Sequence, residues 1–351
     1  SGELHTALTA AFPPDMMLLH GNAKTEEELE LALRAGVGRI VIDNLDEIDR
    51  LAALTERLQV PARVFIRVTP GVKPHTHHYV ATGQVDSKFG FNLEGGAAEQ
   101  AVKRVLRVPR LELVGLHCHI GSQIFESRPF TIAARAMMRF YAHAQHDLGA
   151  PLDELNMGGG LGIRYQSDDC PPSVEEHLRD LRLAVLEAAQ EVGVEPPLLC
   201  DEPGRSIVGR AGVTLYRVQS TKRIPGVRNY VSVDGGMTDN PRYALYDSRH
   251  QFFAAERFAA DHDTLWSVSG RCCESGDMLI HDVALPGDLR PGEILVSMST
   301  GAYTYSMASN YNRVPRPAVV LAGDGQVDLL VARESVQDLV RLDRIPHWLE
   351  R

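Results

Sequence analysis

The chain has 351 residues, more than one compact core usually holds, and its 44% hydrophobic and 23% charged residues are ordinary for a folded globular protein. A net charge of −10 argues against a general nucleic-acid binder and against an anionic membrane surface, and no apolar run reaches the roughly 18 residues of a membrane span. The opening SGELHTALTAAFPPD lacks the basic start and apolar core of a signal peptide, and five cysteines form no disulfide framework, so a reducing cytoplasm is expected. There is no initiator methionine, and SGEL reads as the middle of a fold, so a fragment of a longer chain is expected.

In chain order, TEEELELALRAG spaces Leu29, Leu31, Ala32 and Leu33 for a helix that Gly36 can end. RIVID follows as a short buried strand, NLDEIDRLAALTERL as a helix and ARVFIRVTP as a strand. EGGAAEQAVKRVLRV reads as a helix and LELVGLHCHIG as a strand with a polar mouth. A long helix is predicted over about 127–148. DELNMGGGLG is a strand running into a glycine loop, VEEHLRDLRLAVLEAAQEVG a helix, and PLLCDEPGR a strand. This alternation predicts parallel strands with crossover helices. A (β/α)8 barrel gathers functional groups at the C-terminal ends of its strands, where Arg67, His117, His119, Gly158–Gly160 and Glu202–Arg205 fall. A doubly wound open sheet would give a similar rhythm.

After about residue 210 the texture changes to short β-rich runs split by Gly, Pro and Asp, with AGDGQ as a hairpin signal. The division expected is 1–210 for the barrel domain and 211–351 for a mostly antiparallel β domain of sandwich or barrel type.

Several motifs could carry chemistry. MGGGLG lets backbone N–H groups approach an anion such as a phosphate, although a tight turn with no ligand would use the same residues. DEPGR places Glu202, Gly204 and Arg205 at a strand end. That pair is either a surface ion pair, or a carboxylate for a protonated ring nitrogen and an arginine for an anionic group. His117 and His119 share one side of a strand, suiting either a ring stacked on a cofactor or a two-histidine metal site with no evident third ligand. Arg242 and Tyr246, four apart, could clamp a carboxylate. Tyr303 follows a glycine among further tyrosines. GRCCESGDML sets Cys272 and Cys273 beside Glu274 without the C-x2-C spacing of a zinc site, which leaves an exposed reactive thiol as one reading.

Taken together, LLHGNAKTEEEL, KFGFN, GLHCHIGSQI, NMGGGLGIRY, EPGRSIVGRAG, DGGMTDNPRYALYD, GRCCESGDML and STGAYTYSMASNYN resemble, in order and over essentially the whole chain, the diaminopimelate decarboxylases. These belong to the fold-type III, alanine-racemase-like group of pyridoxal-phosphate enzymes. The resemblance implies a (β/α)8 barrel followed by a β domain, a homodimer with shared sites, and pyridoxal 5'-phosphate as cofactor. It implies decarboxylation of meso-2,6-diaminopimelate to L-lysine and CO2, the last step of lysine biosynthesis. The alternatives are a catalytically inactive binding or regulatory homologue, and a decarboxylase for another basic amino acid. Carried over by position, His119 stacks on the cofactor ring and Glu202 pairs with its nitrogen. Ser122, Gly159, Gly160, Gly204, Arg205 and Tyr303 are cofactor-binding residues. Arg205, Arg242, Tyr246, Glu274 and Tyr303 are substrate-binding, and Cys273 is the proton donor, with Cys273 and Glu274 coming from the neighbouring subunit. No metal is implied.

The family also uses a lysine, in a Tyr-Ala-x-Lys-Ala-like strand, to hold the cofactor covalently. None of Lys24, Lys73, Lys88, Lys103 and Lys222 sits in such a motif. The expectation is that the barrel's first strands, with that lysine, are absent from this chain. A molecule truly without them would lose nearly all catalysis.

Overall fold

A computed structural model describes residues 1–72 and 86–349; Lys73 therefore lies outside the described residues. The chain divides into two compact units, Ser1–Gly162 with Cys170–Gly204, and Ile163–Asp169 with Arg205–Arg351. Among the described residues no helix is long and apolar enough to cross a membrane.

In the first unit strand and helix alternate: α1 (Gly2–Thr9), β1 (Leu18–Leu19), α2 (Glu26–Ala35), β2 (Arg39–Ile42), α3 (Leu45–Leu58), β3 (Ala62–Thr69), β4 (Phe91–Asn92), α4 (Ala97–Val105), β5 (Leu111–His117), α5 (Ser127–His146), β6 (Glu154–Asn156), α6 (Val174–Val192) and β7 (Leu198–Cys200). The helix boundaries have local causes. Thr25 and Glu28 form a reciprocal capping box at the start of α2, and Gly36 ends it in the left-handed region at φ +72°. Ser173 with Glu176 starts α6 in the same way, and Gly193 closes it at φ +71°. The helix predicted from Glu94 begins later. Gly95 and Gly96 adopt φ +80° and +78°, so a 3-10 turn precedes α4.

The strands pair in parallel in the order β1-β2-β3-β5-β6-β7, with β4 added beside β3. Apart from β4, sequence order and spatial order coincide. A doubly wound sheet reverses direction at a switch point, so this order favours the barrel architecture. Strand residues such as Ile40, Ile42, Val64, Ile66, Leu113 and Leu155 meet Leu29, Ile48, Leu51, Val102, Met137 and Val185 of the helices in one buried core.

The register aligns the strand ends. Arg67 of β3 pairs with His117 of β5, His117 with Asn156 of β6, and Asn156 with Cys200 of β7. One polar row therefore crosses the C-terminal edge of the sheet. The opposite end carries a structural network instead. Buried Glu154 accepts from Arg39 Nη2 at 2.6 Å, Arg39 Nε at 3.0 Å and Arg63 Nη2 at 3.0 Å.

The second unit contains most of α7 (Gly204–Val208), then β8 (Thr214–Ile224), β9 (Arg228–Val233), α8 (Arg242–Tyr246), β10 (Phe252–Ala254), β11 (Thr264–Ser269), β12 (Met278–Leu285), β13 (Ile294–Ser297), β14 (Val319–Gly323) and β15 (Gln326–Val331). Its main sheet runs β10-β13-β8-β9-β11-β12 and is antiparallel except for the β9–β11 pair. Tyr216, Val231, Phe252, Trp266, Leu279 and Leu295 form its core. The AGDGQ signal is a hairpin: β14 and β15 are joined through Asp324 and Gly325, at φ +51° and +75°, as a mirror-image two-residue turn needs.

Candidate active site

Glu202 follows the end of β7, and its side chain is one-third exposed. Asn156 Nδ2 donates to its Oε1 at 2.8 Å, and His20 Nε2 lies 3.0 Å from the same oxygen. His117 Nε2 is 3.7 Å from Oε2. Burial raises the pKa of Glu202, but the neighbouring His117 and His20 outweigh it and hold the carboxyl well below the usual carboxylate range. His117 is fully buried, and that burial pushes its own pKa down to about 3. At neutral pH the arrangement is an ionised carboxylate beside an uncharged imidazole. Ligand atoms of His20, His117 and Glu202 lie within 4.8 Å of one another; His119, the other half of the two-histidine reading, is not a member of that group.

His119 follows β5. Gly159 N donates to its Nδ1 at 3.2 Å, which places the ring proton of the neutral form on Nε2. Burial lowers the pKa of His119 to about 4. The glycine run has a packing reason. A Cβ on Gly158 would fall 2.3 Å from Cys118 O, one on Gly159 2.0 Å from Glu202 O, and one on Gly160 2.2 Å from Gly121 O. Gly158 N donates to Asn156 Oδ1 at 2.8 Å, and Glu202 N to Gly158 O at 2.5 Å. The loop is thus locked to the carboxylate through Asn156. Ser122 lies in the loop after β5, beyond Gly121. At Gly204 a Cβ would meet nothing, so no protein packing demands that glycine.

Among the described residues, the lysines of the first unit have other occupations. Lys24 is buried, donates to Gly21 O at 2.6 Å and Val41 O at 2.8 Å, and pairs with Glu47 at 2.9 Å. Lys88 lies over the Phe89 ring, and Lys103 pairs with Glu99. Arg67 stacks on the other member of that loop contact, its guanidinium 4.3 Å from the Phe89 centroid.

In the second unit Arg205 and Arg242 are both buried. Arg205 Nη1 donates to Tyr165 Oη at 2.6 Å and lies over Tyr303, 4.6 Å from the ring centroid. Tyr303 holds φ +55°, a left-handed conformation unusual for a bulky residue. The four-residue spacing of Arg242 and Tyr246 becomes one face of α8, with the guanidinium 5.3 Å from the Tyr246 ring.

The cysteine pair sits in the β11–β12 loop. Cys273 and Glu274 are exposed and Cys272 is half-buried. Burial, with Asp277 beside it, raises the Cys272 thiol to about 11. Cys273 N donates to Asn312 Oδ1 at 3.0 Å. Buried Asp277 accepts from Met237 N at 2.6 Å and from Cys272 N at 2.7 Å, tying this loop to the one that leads into α8.

Sequence reasoning did not single out His20, Asn156, Tyr165, Asp277 or His250. Asn156 immediately precedes the glycine run and Tyr165 closely follows it, which was the available signal. The residues of the first unit fit a pyridine cofactor. They present a partly open carboxylate kept ionised, an uncharged imidazole, and a glycine loop whose backbone is held in place.

The family model for the pyridoxal-binding domain of pyridoxal-dependent decarboxylases matches residues 1–209. Diaminopimelate decarboxylase of Bacillus subtilis (strain 168) is 48% identical over 342 residues, spanning 97% of this chain and 78% of that protein. The crystal structure of diaminopimelate decarboxylase from M. jannaschii in complex with L-lysine superposes with a TM-score of 0.91 at 34% identity, over 99% of this chain and 79% of that one. The Helicobacter pylori enzyme complexed with L-lysine gives 0.87 at 29% identity, over 97% and 82%.

Proposed function

The chain belongs to the diaminopimelate decarboxylases, within the pyridoxal-dependent decarboxylase family, and on that premise we propose how its residues divide the chemistry. The reaction removes one carboxylate from meso-2,6-diaminopimelate and yields L-lysine and CO2. When bound, pyridoxal 5'-phosphate supplies an electron-poor ring that accepts the electron pair left as the C–C bond breaks.

Glu202 pairs with the ring nitrogen and keeps it protonated. Asn156 and His20 fix the orientation of the carboxylate, leaving its exposed side for the ring. His119 stacks as a neutral imidazole, so it adds no repulsion beside a protonated ring. Ser122, Gly159, Gly160 and Gly204 bind the phosphate, with Arg205 and Tyr303 beside it. Arg205, Arg242, Tyr246 and Tyr303 receive the substrate's charged groups. Cys273 returns a proton to the former α-carbon, and Glu274 reads the distal amino group. Both act at the neighbouring subunit's site in a cytoplasmic homodimer. Residues 1–210 carry cofactor binding and 211–351 form the β domain.

The observation that supports this reading most strongly is the Glu202 carboxylate, held ionised at a strand end beside Asn156, His20 and His117. The test is CO2 release from meso-diaminopimelate by the protein with a barrel that includes the cofactor-holding lysine strand, loaded with pyridoxal phosphate. Glu202→Gln should keep the cofactor and lose about 100-fold in rate, and a metal chelator should change nothing. Release undiminished in the variant would overturn the assignment; loss with the chelator would turn His20, His117 and Glu202 into a metal site.

A further inference from the structure

Arg242 raises a question of charge compensation. It is 5% exposed. Its Nη2 donates to Ser248 Oγ at 3.2 Å, its buried Nε has no partner, and among the described residues it forms no ion pair. Burial lowers its pKa, and Arg205 nearby pushes the same way. A buried cation next to another cation needs a compensating group, and none of these contacts is a carboxylate.

Aromatic faces supply it. The guanidinium carbons of Arg205 and Arg242 each lie 5.9 Å from the centroid of Tyr165. Tyr165 is itself buried at 6% exposure, and its hydroxyl accepts from Arg205. Behind it, His250 packs edge-on with centroids 4.8 Å apart and bonds Met298 O through Nδ1 at 2.8 Å. Burial takes His250 down to about 4, so it brings no third positive charge at neutral pH. A ring face attracts a cation without occupying the in-plane N–H groups. A carboxylate in its place would saturate those donors and compete with an anionic ligand.

We propose that Tyr165 is a positioning residue for recognition of the substrate carboxylate: its ring is the shared counter-group of Arg205 and Arg242, and its hydroxyl fixes the orientation of Arg205. The inference rests on the reading of those arginines as carboxylate-binding.

The test is calorimetric titration of L-lysine, which keeps a carboxylate, and of cadaverine, which has none, into the protein with the cofactor-holding lysine strand present, loaded with pyridoxal phosphate. The wild type should prefer L-lysine. Tyr165→Phe should weaken L-lysine about tenfold through the lost charged hydrogen bond, and Tyr165→Leu should weaken it further. Cadaverine should bind as before, and KM should rise while kcat stays within about twofold. A wild type that binds both ligands alike removes the premise about the arginines. With the preference present, variants that bind L-lysine like the wild type, or that lose both ligands equally, overturn the role of Tyr165. Should Tyr165→Leu fail to fold, Tyr165→Phe decides alone.

Discussion

Asn156 Nδ2 donates to Glu202 Oε1 at 2.8 Å while Asn156 Oδ1 accepts from Gly158 N at the same distance. One amide therefore orients both the carboxylate assigned to the ring nitrogen and the loop assigned to the phosphate. Asn156→Ala should weaken pyridoxal phosphate about tenfold. Asn156→Asp should do more harm, because a second negative charge would face Glu202. Fluorescence titration with the cofactor checks both, and an Asn156→Asp variant as tight as wild type would remove the link.

Asp277 does the same work for the cysteine loop. With its carboxylate gone, Met237 N and Cys272 N lose their acceptor and the Cys273–Glu274 turn loses its anchor. In Asp277→Ala, thiol labelling at pH 8 should accelerate about tenfold, since burial and Asp277 both hold Cys272 in its protonated form. Decarboxylation should fall in parallel. Unchanged labelling would show that the loop holds its shape without this residue.

Stability should depend on pH in a set direction. His117, His119 and His250 are pushed by burial to about 3, 4 and 4. In the unfolded chain they take up protons below about 6.5. Between those values the unfolded state binds more protons, so the folded state loses ground as pH falls from about 6.5 towards 4. Each histidine steepens that loss by up to about 1.4 kcal/mol per pH unit. Glu202, whose pKa is lowered, adds a loss in the same direction once pH drops below the ordinary carboxylate value. Urea unfolding between pH 7 and 4.5 measures the slope, and His250→Phe should flatten it. A slope unaffected by that substitution would mean His250 is charged in the fold.

A site shared between subunits predicts complementation. His119→Ala and Cys273→Ala should each be nearly inactive alone. Mixed, unfolded and refolded together, they should recover at most about a quarter of wild-type activity, because half the dimers are mixed and each holds one intact site. No recovery in a verified mixed dimer would place Cys273 at its own subunit's site.

Much of the fold was legible because its signals are local. Thr25 and Glu28 mark one helix start, Gly36 and Gly193 two helix ends, and Asp324-Gly325 a hairpin. The start of α4 was misjudged because apolar spacing after Glu94 outweighed two glycines that prefer positive φ. The site divides on the same line. His119, Glu202 and Arg242 sit in recognisable runs. Asn156, His20 and Asp277 act through partners 46, 182 and 40 positions away, at Glu202, Glu202 and Met237, distances that no window of sequence spans.

The pairing of Arg67 with His117, His117 with Asn156, and Asn156 with Cys200 has an evolutionary consequence. Side chains alternate between the two faces of a strand, so deleting a single residue inside β6 would rotate Asn156 off the sheet's working side and bring Leu155 or Met157 into its place. Segments beyond the strand tips can grow or shrink without that penalty. Lineages descending from this chain can therefore remodel their loops by insertion, but must alter the strand ends by substitution alone.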